Sequence, residues 1–91
     1  MSQNNTFHFR LVSPESEIVN APATFVTLPG TEGDMGVYAG HMPIISGLKS
    51  GVIEVTFADT ARADERYTIE NGFVDMSPTA CTIVAEAVRP V

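Results

Sequence analysis

Apolar and polar residues alternate with a period of two along almost the whole chain, and that alternation excludes most architectures. Phe7, Phe9 and Leu11 interleave with His8, Arg10 and Val12, so an extended backbone sends three large apolar groups to one face. Phe25-Val26-Thr27-Leu28 resumes the pattern after Ala21-Pro22. In Gly51-Val52-Ile53-Glu54-Val55-Thr56-Phe57, Ile53, Val55 and Phe57 point one way while Glu54 and Thr56 point the other. Tyr67-Thr68-Ile69, Phe73-Val74-Asp75-Met76 and Cys81-Thr82-Ile83-Val84 complete the set. No window of about eleven residues holds an apolar stripe at helical spacing. Turn signals at Ser13-Pro14, Pro29-Gly30, Ala39-Gly40, Ser50-Gly51, Asn71-Gly72 and Ser77-Pro78 divide the runs. Many short strands separated in this way predict an all-β sandwich or flattened barrel. Two hairpins can be placed. The polar interlude from Ala58 to Glu65 predicts an exposed tip, and Asn71-Gly72 predicts a two-residue turn, because both residues tolerate positive φ.

At 91 residues the chain sustains one core, and residues 1–91 are read as a single domain. Cys81 is the sole cysteine, so no disulfide framework exists; its apolar neighbours mark it as a small core residue in a reducing setting. Met1-Ser2-Gln3-Asn4-Asn5-Thr6 is polar without a basic residue, unlike a signal peptide. No apolar run is long enough to span a bilayer as a helix. Eleven acids against five bases give a net charge of −6, and the bases are scattered. Nucleic acid and anionic lipid are poor partners for such a surface, because phosphate recognition needs concentrated positive charge. A protein partner fits it, as does a solvated surface without one.

Candidate chemistry concentrates in Leu28 to Pro43, sixteen residues that hold four glycines, two prolines, two acids and a histidine. Glycine at that density marks backbone that turns through positive φ or approaches other backbone closely. Met35, Val37, Tyr38, Met42, Ile44 and Ile45 are interleaved with it or follow it, so the segment must lie on its own core or on another protein. Catalysis finds little here. His8 and His41 are the only histidines, and His8 falls on the polar face of the first run. Metal-ligand spacing, serine-nucleophile motifs and phosphate-cradling Gly-Lys-Ser/Thr sequences are absent. An acid–base or ligand site around Glu32, Asp34 and His41 is the alternative to a docking surface.

Pro29-Gly30-Thr31-Glu32-Gly33-Asp34-Met35-Gly36-Val37-Tyr38 and Gly40-His41-Met42-Pro43 resemble the signature of the amino-terminal β-domain in the epsilon-subunit family of F-type ATP synthase. Leu48-Lys49-Ser50-Gly51-Val52-Ile53 is similar to the family's Leu/Ile-Lys/Arg-Pro-Gly-Val/Met-Ile/Leu, and Val84-Ala85-Glu86 to its closing strand. The resemblance runs from Phe7 to Glu86. It implies a ten-stranded flattened β-sandwich, without catalytic residues or cofactor. It also implies a place in the central stalk as one copy per complex, between the gamma subunit and the c ring, peripheral on the cytoplasmic face of the bacterial inner membrane or its organellar equivalent. By correspondence with the family, Glu32, Asp34 and Met35 face the c ring, while His41, Met42 and Ser46 face gamma. Ala39 and Ser50 stand where the family commonly has proline, and Asn71 where it has glycine. Family members continue into a carboxy-terminal helical hairpin that gates hydrolysis or binds ATP. Nothing after Pro90-Val91 supplies one, so neither property is carried over.

Overall fold

The structure, a computed structural model, describes residues 5–91. The expectation that the chain starts without a signal peptide rests partly on residues 1–4, which lie outside the described residues. Seven strands form: β1 (Phe7–Val12), β2 (Glu17–Gly30), β3 (Gly33–Val37), β4 (Ile44–Leu48), β5 (Gly51–Phe57), β6 (Glu65–Ser77) and β7 (Ala80–Pro90). The all-β expectation holds, and so does the alternation behind it. Phe7, Phe9 and Leu11 of β1 are buried, as are Ile53, Val55 and Phe57 of β5. They join Val26, Leu28, Ile69, Val74, Cys81 and Ile83 in one apolar cluster.

The ten strands implied by the resemblance are seven here, because β2, β6 and β7 each serve two layers. One layer runs β3, the carboxy-terminal half of β2, β5, the amino-terminal half of β6 and the far end of β7. The other runs the amino-terminal half of β2, β1, the near end of β7, the second half of β6 and β4. Counting each long strand twice recovers ten segments. Strands that pass from one layer to the other bend where they cross.

The clearest bend corrects the second expected hairpin. Asn71 and Gly72 lie inside β6, not at a chain reversal. Asn71 does have positive φ, 41°, but there β6 exchanges partners: Ile69 pairs with Gly51 of β5 and Gly72 with Leu48 of β4. The register against β7 stays constant from Tyr67–Pro90 to Ser77–Ala80, which holds β6 to one course across the kink. The Asn71 N–H donates to Ser50 Oγ at 3.3 Å. Gly72 is required for a different reason. A Cβ there would run into the Val84 carbonyl oxygen and stand 2.9 Å from Ala85 Cα. The actual reversal is the Pro78-Thr79 turn between β6 and β7, as Ser77-Pro78 signals. The tip between β5 and β6 also forms as expected, tied by the Arg62 N–H to the Asp59 carbonyl at 3.0 Å and capped by the Arg62 guanidinium 3.7 Å over the Phe57 ring.

Candidate docking surface

β2 and β3 form a hairpin whose two turn residues are Thr31 and Glu32, so Pro29-Gly30 ends a strand and the turn follows it. Two glycines make the turn possible. A Cβ on Gly30 would sit 2.6 Å from the Gly33 carbonyl oxygen, and Gly33 itself has φ 130°. Glu32 and Asp34 are exposed on this corner. The ion pairs among the described residues join Arg10 to Glu17, Arg62 to Glu65, Arg66 to Glu54 and Arg89 to Glu70, and leave both corner acids without a cation. Met35, half-buried, lays its side chain against the core.

Beyond β3 the chain crosses between the layers. Val37 is buried, while Tyr38 is exposed with its ring 4.8 Å from Phe25. Gly40 turns at φ 82°, and its N–H donates to the Pro78 carbonyl at 2.8 Å, which fastens the segment to the β6–β7 turn. That anchor tucks His41 against Phe7, with ring centroids 6.0 Å apart. Both imidazole nitrogens are shut off from solvent and have no hydrogen-bond partner. Met42 then swings outward, 77% exposed, and β4 begins with Ile44 and Ile45, the latter 75% exposed. The apolar content of this segment therefore divides: Met35 and Val37 serve the core, whereas Tyr38, Met42, Ile44 and Ile45 face solvent.

The candidate residues fall into two groups. Glu32, Asp34, Met35 and Ser46 line one open hollow of about 290 Å³, with Gly30, Thr31 and Gly33. His41 and Met42 sit at the opposite end of β4, near Phe7 and Pro78. His41 is not among the residues lining the hollow with Glu32 and Asp34, so the acid–base alternative lacks a shared site. Among the described residues no three His, Cys, Asp or Glu side chains are placed to hold a metal ion. The bland reading of Cys81 holds: it is fully buried, and burial pushes its thiol up to about 12. The exposure of Phe73 escaped the sequence reading. Phe73 lies on the outward face beside Val84, bordering a second hollow of about 390 Å³ with Pro14 and Glu86. The one available signal was its odd position in Phe73-Val74-Asp75-Met76, where Val74 and Met76 carry the buried face.

Known proteins resemble this chain in sequence and in fold. Two similar relatives are the ATP synthase epsilon chains of Sinorhizobium fredii (strain NBRC 101917 / NGR234), 45% identical over 83 residues, and Rhizobium johnstonii (strain DSM 114642 / LMG 32736 / 3841), 41% identical over 87 residues. These alignments cover 91% and 96% of this chain but 60% and 63% of those relatives, so the chain spans under two-thirds of their length. Among solved structures, a chain of the Euglena gracilis mitochondrial ATP synthase OSCP/F1/c-ring assembly superposes with a TM-score of 0.86 at 24% identity, over 99% of this chain and 56% of that one. A chain of the Tetrahymena thermophila mitochondrial ATP synthase central stalk and c ring gives 0.74 at 15% identity, over 96% of this chain and 68% of that one. Both share the fold. Residues 6–91 match the family described as ATP synthase, Delta/Epsilon chain, beta-sandwich domain, and the chain belongs to that family.

Proposed function

We propose that this β-sandwich is a non-catalytic element of the rotor of an F-type ATP synthase, joining gamma to the c ring so that ring rotation reaches the catalytic head. The observation that carries the reading is the exposed apolar run Met42, Ile44 and Ile45 at one end of β4, with an acidic corner toward its other end that has no cation partner among the described residues. A protein surface of that composition fits a neighbour with apolar area and basic residues. Glu32, Asp34 and Met35 are assigned to the c ring, and His41, Met42 and Ser46 to gamma. Ser46 borders the hollow shared with the acids, so the two contacts would adjoin. Exposed ion pairs contribute only about 0–1 kcal/mol each, so the apolar contact with gamma supplies most of the affinity. On this reading the domain acts as one copy in the membrane-associated F1 sector, on the cytoplasmic face of the bacterial inner membrane or the equivalent organellar face. Epsilon-chain names among the relatives and the stalk and c-ring titles of the structural neighbours support it.

The test is reconstitution of the rotor with and without this chain, followed by proton-driven ATP synthesis. Synthesis should fall without the chain and recover when it is added back. Equal coupling in both preparations would defeat the proposal.

A further inference from the structure

Among the described residues the two layers have four open edges, and one of them carries neither charge nor proline within its strand. β3 carries Asp34 at its edge, next to Glu32 in the preceding turn. The first half of β2 presents Glu17 and Pro22. The end of β7 presents Glu86, Arg89 and Pro90. Charge and proline are the usual protections of a free edge, because they disfavour pairing with another strand. β4 has neither. Ile44-Ile45-Ser46-Gly47-Leu48 is uncharged, and its register against β6 runs from Ile44–Met76 to Leu48–Gly72 without a bulge. Its other side meets the end of β2 at the Gly30–Leu48 pair, with the Thr31 side chain beside Gly47 and the Lys49 N–H donating to the Pro29 carbonyl, and among the described residues no strand pairs there with Ile44 or Ile45. No charged residue occurs from Met35 to Leu48, in a chain of net charge −6.

We infer that β4 binds its partner by strand addition: an extended segment of another protein continues the β4–β6 layer and covers Met42, Ile44 and Ile45. This deepens the assignment of the edge to gamma, and rests on it, by naming how the contact is made. Side-chain alternation sets the chemistry of the added strand: covering Ile45 on one face and Ile44 on the other takes two adjacent apolar residues, one for each face. Where that strand passes Ser46 it meets the corner of Glu32 and Asp34, so a lysine or arginine belongs there. The same corner argues against a second copy of this chain. Two chains of −6 repel each other, and a pair of them would leave both acidic corners without a countercharge.

Amide hydrogen exchange of the isotope-labelled chain, alone and with the gamma subunit, tests the inference. Along an edge strand alternate amides point away from the sheet. In Ile44 to Ser46 those amides should exchange freely in the isolated chain and slow about tenfold or more when gamma binds. If gamma binds while they continue to exchange freely, strand addition is wrong and docking by side chains alone remains. If gamma fails to bind at all, the stalk assignment falls and strand addition with it. If the same amides slow in the isolated chain as its concentration rises, the occupant is a second copy and the inference is overturned.

Discussion

His41 gives the sharpest quantitative test of the local structure. A neutral imidazole has one N–H donor and one acceptor nitrogen, and here neither has a partner or water access. An unsatisfied buried polar atom costs about 1–3 kcal/mol, so the pair together costs about 2 kcal/mol at the low end of that range. His41→Phe removes both atoms and keeps an aromatic ring against Phe7, preserving a contact of about 0.5–1.5 kcal/mol beyond its buried area. The larger ring gives back part of the gain through crowding, leaving a net stabilisation of about 1 kcal/mol. For a domain of this size that raises Tm by about 4–8 °C. His41→Ala loses the Phe7 contact along with the orphan nitrogens and should come out near neutral. Thermal and urea unfolding measure both variants, with an unchanged urea slope showing that the same surface is exposed. A Phe variant melting at or below the parent temperature would refute the reasoning, since the nitrogens would then have partners in solution. The same protein decides whether His41 touches gamma. Weaker binding by the more stable variant would mean that the unpaired imidazole is kept for a partner, whereas unchanged binding would confine it to positioning Met42.

Three further outcomes follow from the geometry. Gly72→Ala forces a methyl into the β7 backbone at Val84 and Ala85, and should destabilise by about 1–3 kcal/mol, read as a lower urea midpoint. Cys81 and Tyr67 are both raised to about 12, chiefly by burial, from ordinary values of 9.0 and 10.0; their stabilising contribution is complete below those values and lost as pH rises toward 12. Cys81→Ala, though less stable at neutral pH, should therefore show a shallower loss of stability between pH 9 and 12 in unfolding curves taken across that range. Asp34→Lys and Glu32→Lys should each weaken binding to an isolated c ring a few-fold, with the difference shrinking as salt is raised, in a titration at two ionic strengths; no change would move the ring contact elsewhere.

The core was legible because the period of two directly states which side chains share a face. Phe7, Phe9 and Leu11, and Ile53, Val55 and Phe57, could be assigned to the interior from order alone, and each is buried. Connectivity was not legible in the same way. Asn71-Gly72 signalled positive φ, and Asn71 has it, but a local signal for φ says nothing about whether the strand continues. That depends on β7, whose constant register from Pro90 to Ala80 is a contact across the fold that no residue near Asn71 announces. The alternation resumes after Ala21-Pro22 in sequence, yet both residues lie within β2, paired with Phe9 and His8 of β1, and the Pro22 carbonyl accepts from the Ala58 N–H on the other side.

The candidate surface divides along the same line. Glu32, Asp34 and Met42 are exposed where glycine-rich, polar-flanked sequence placed them, because turn chemistry is local. Burial of the His41 nitrogens is not local, since it depends on Phe7 thirty-four residues earlier and on the Gly40 hydrogen bond to Pro78. The open side of β4 belongs to neither kind. In sequence Ile44-Ile45 fits the core or a partner equally, and only the pairing of the other strands shows that no strand among the described residues covers it. An unguarded apolar edge persists in a soluble assembly when a partner regularly occupies it, because otherwise it would recruit strands indiscriminately. Under the proposed strand addition, the absence of charge between Met35 and Leu48 serves the interface, since the sandwich forms around the other edges with their charges in place.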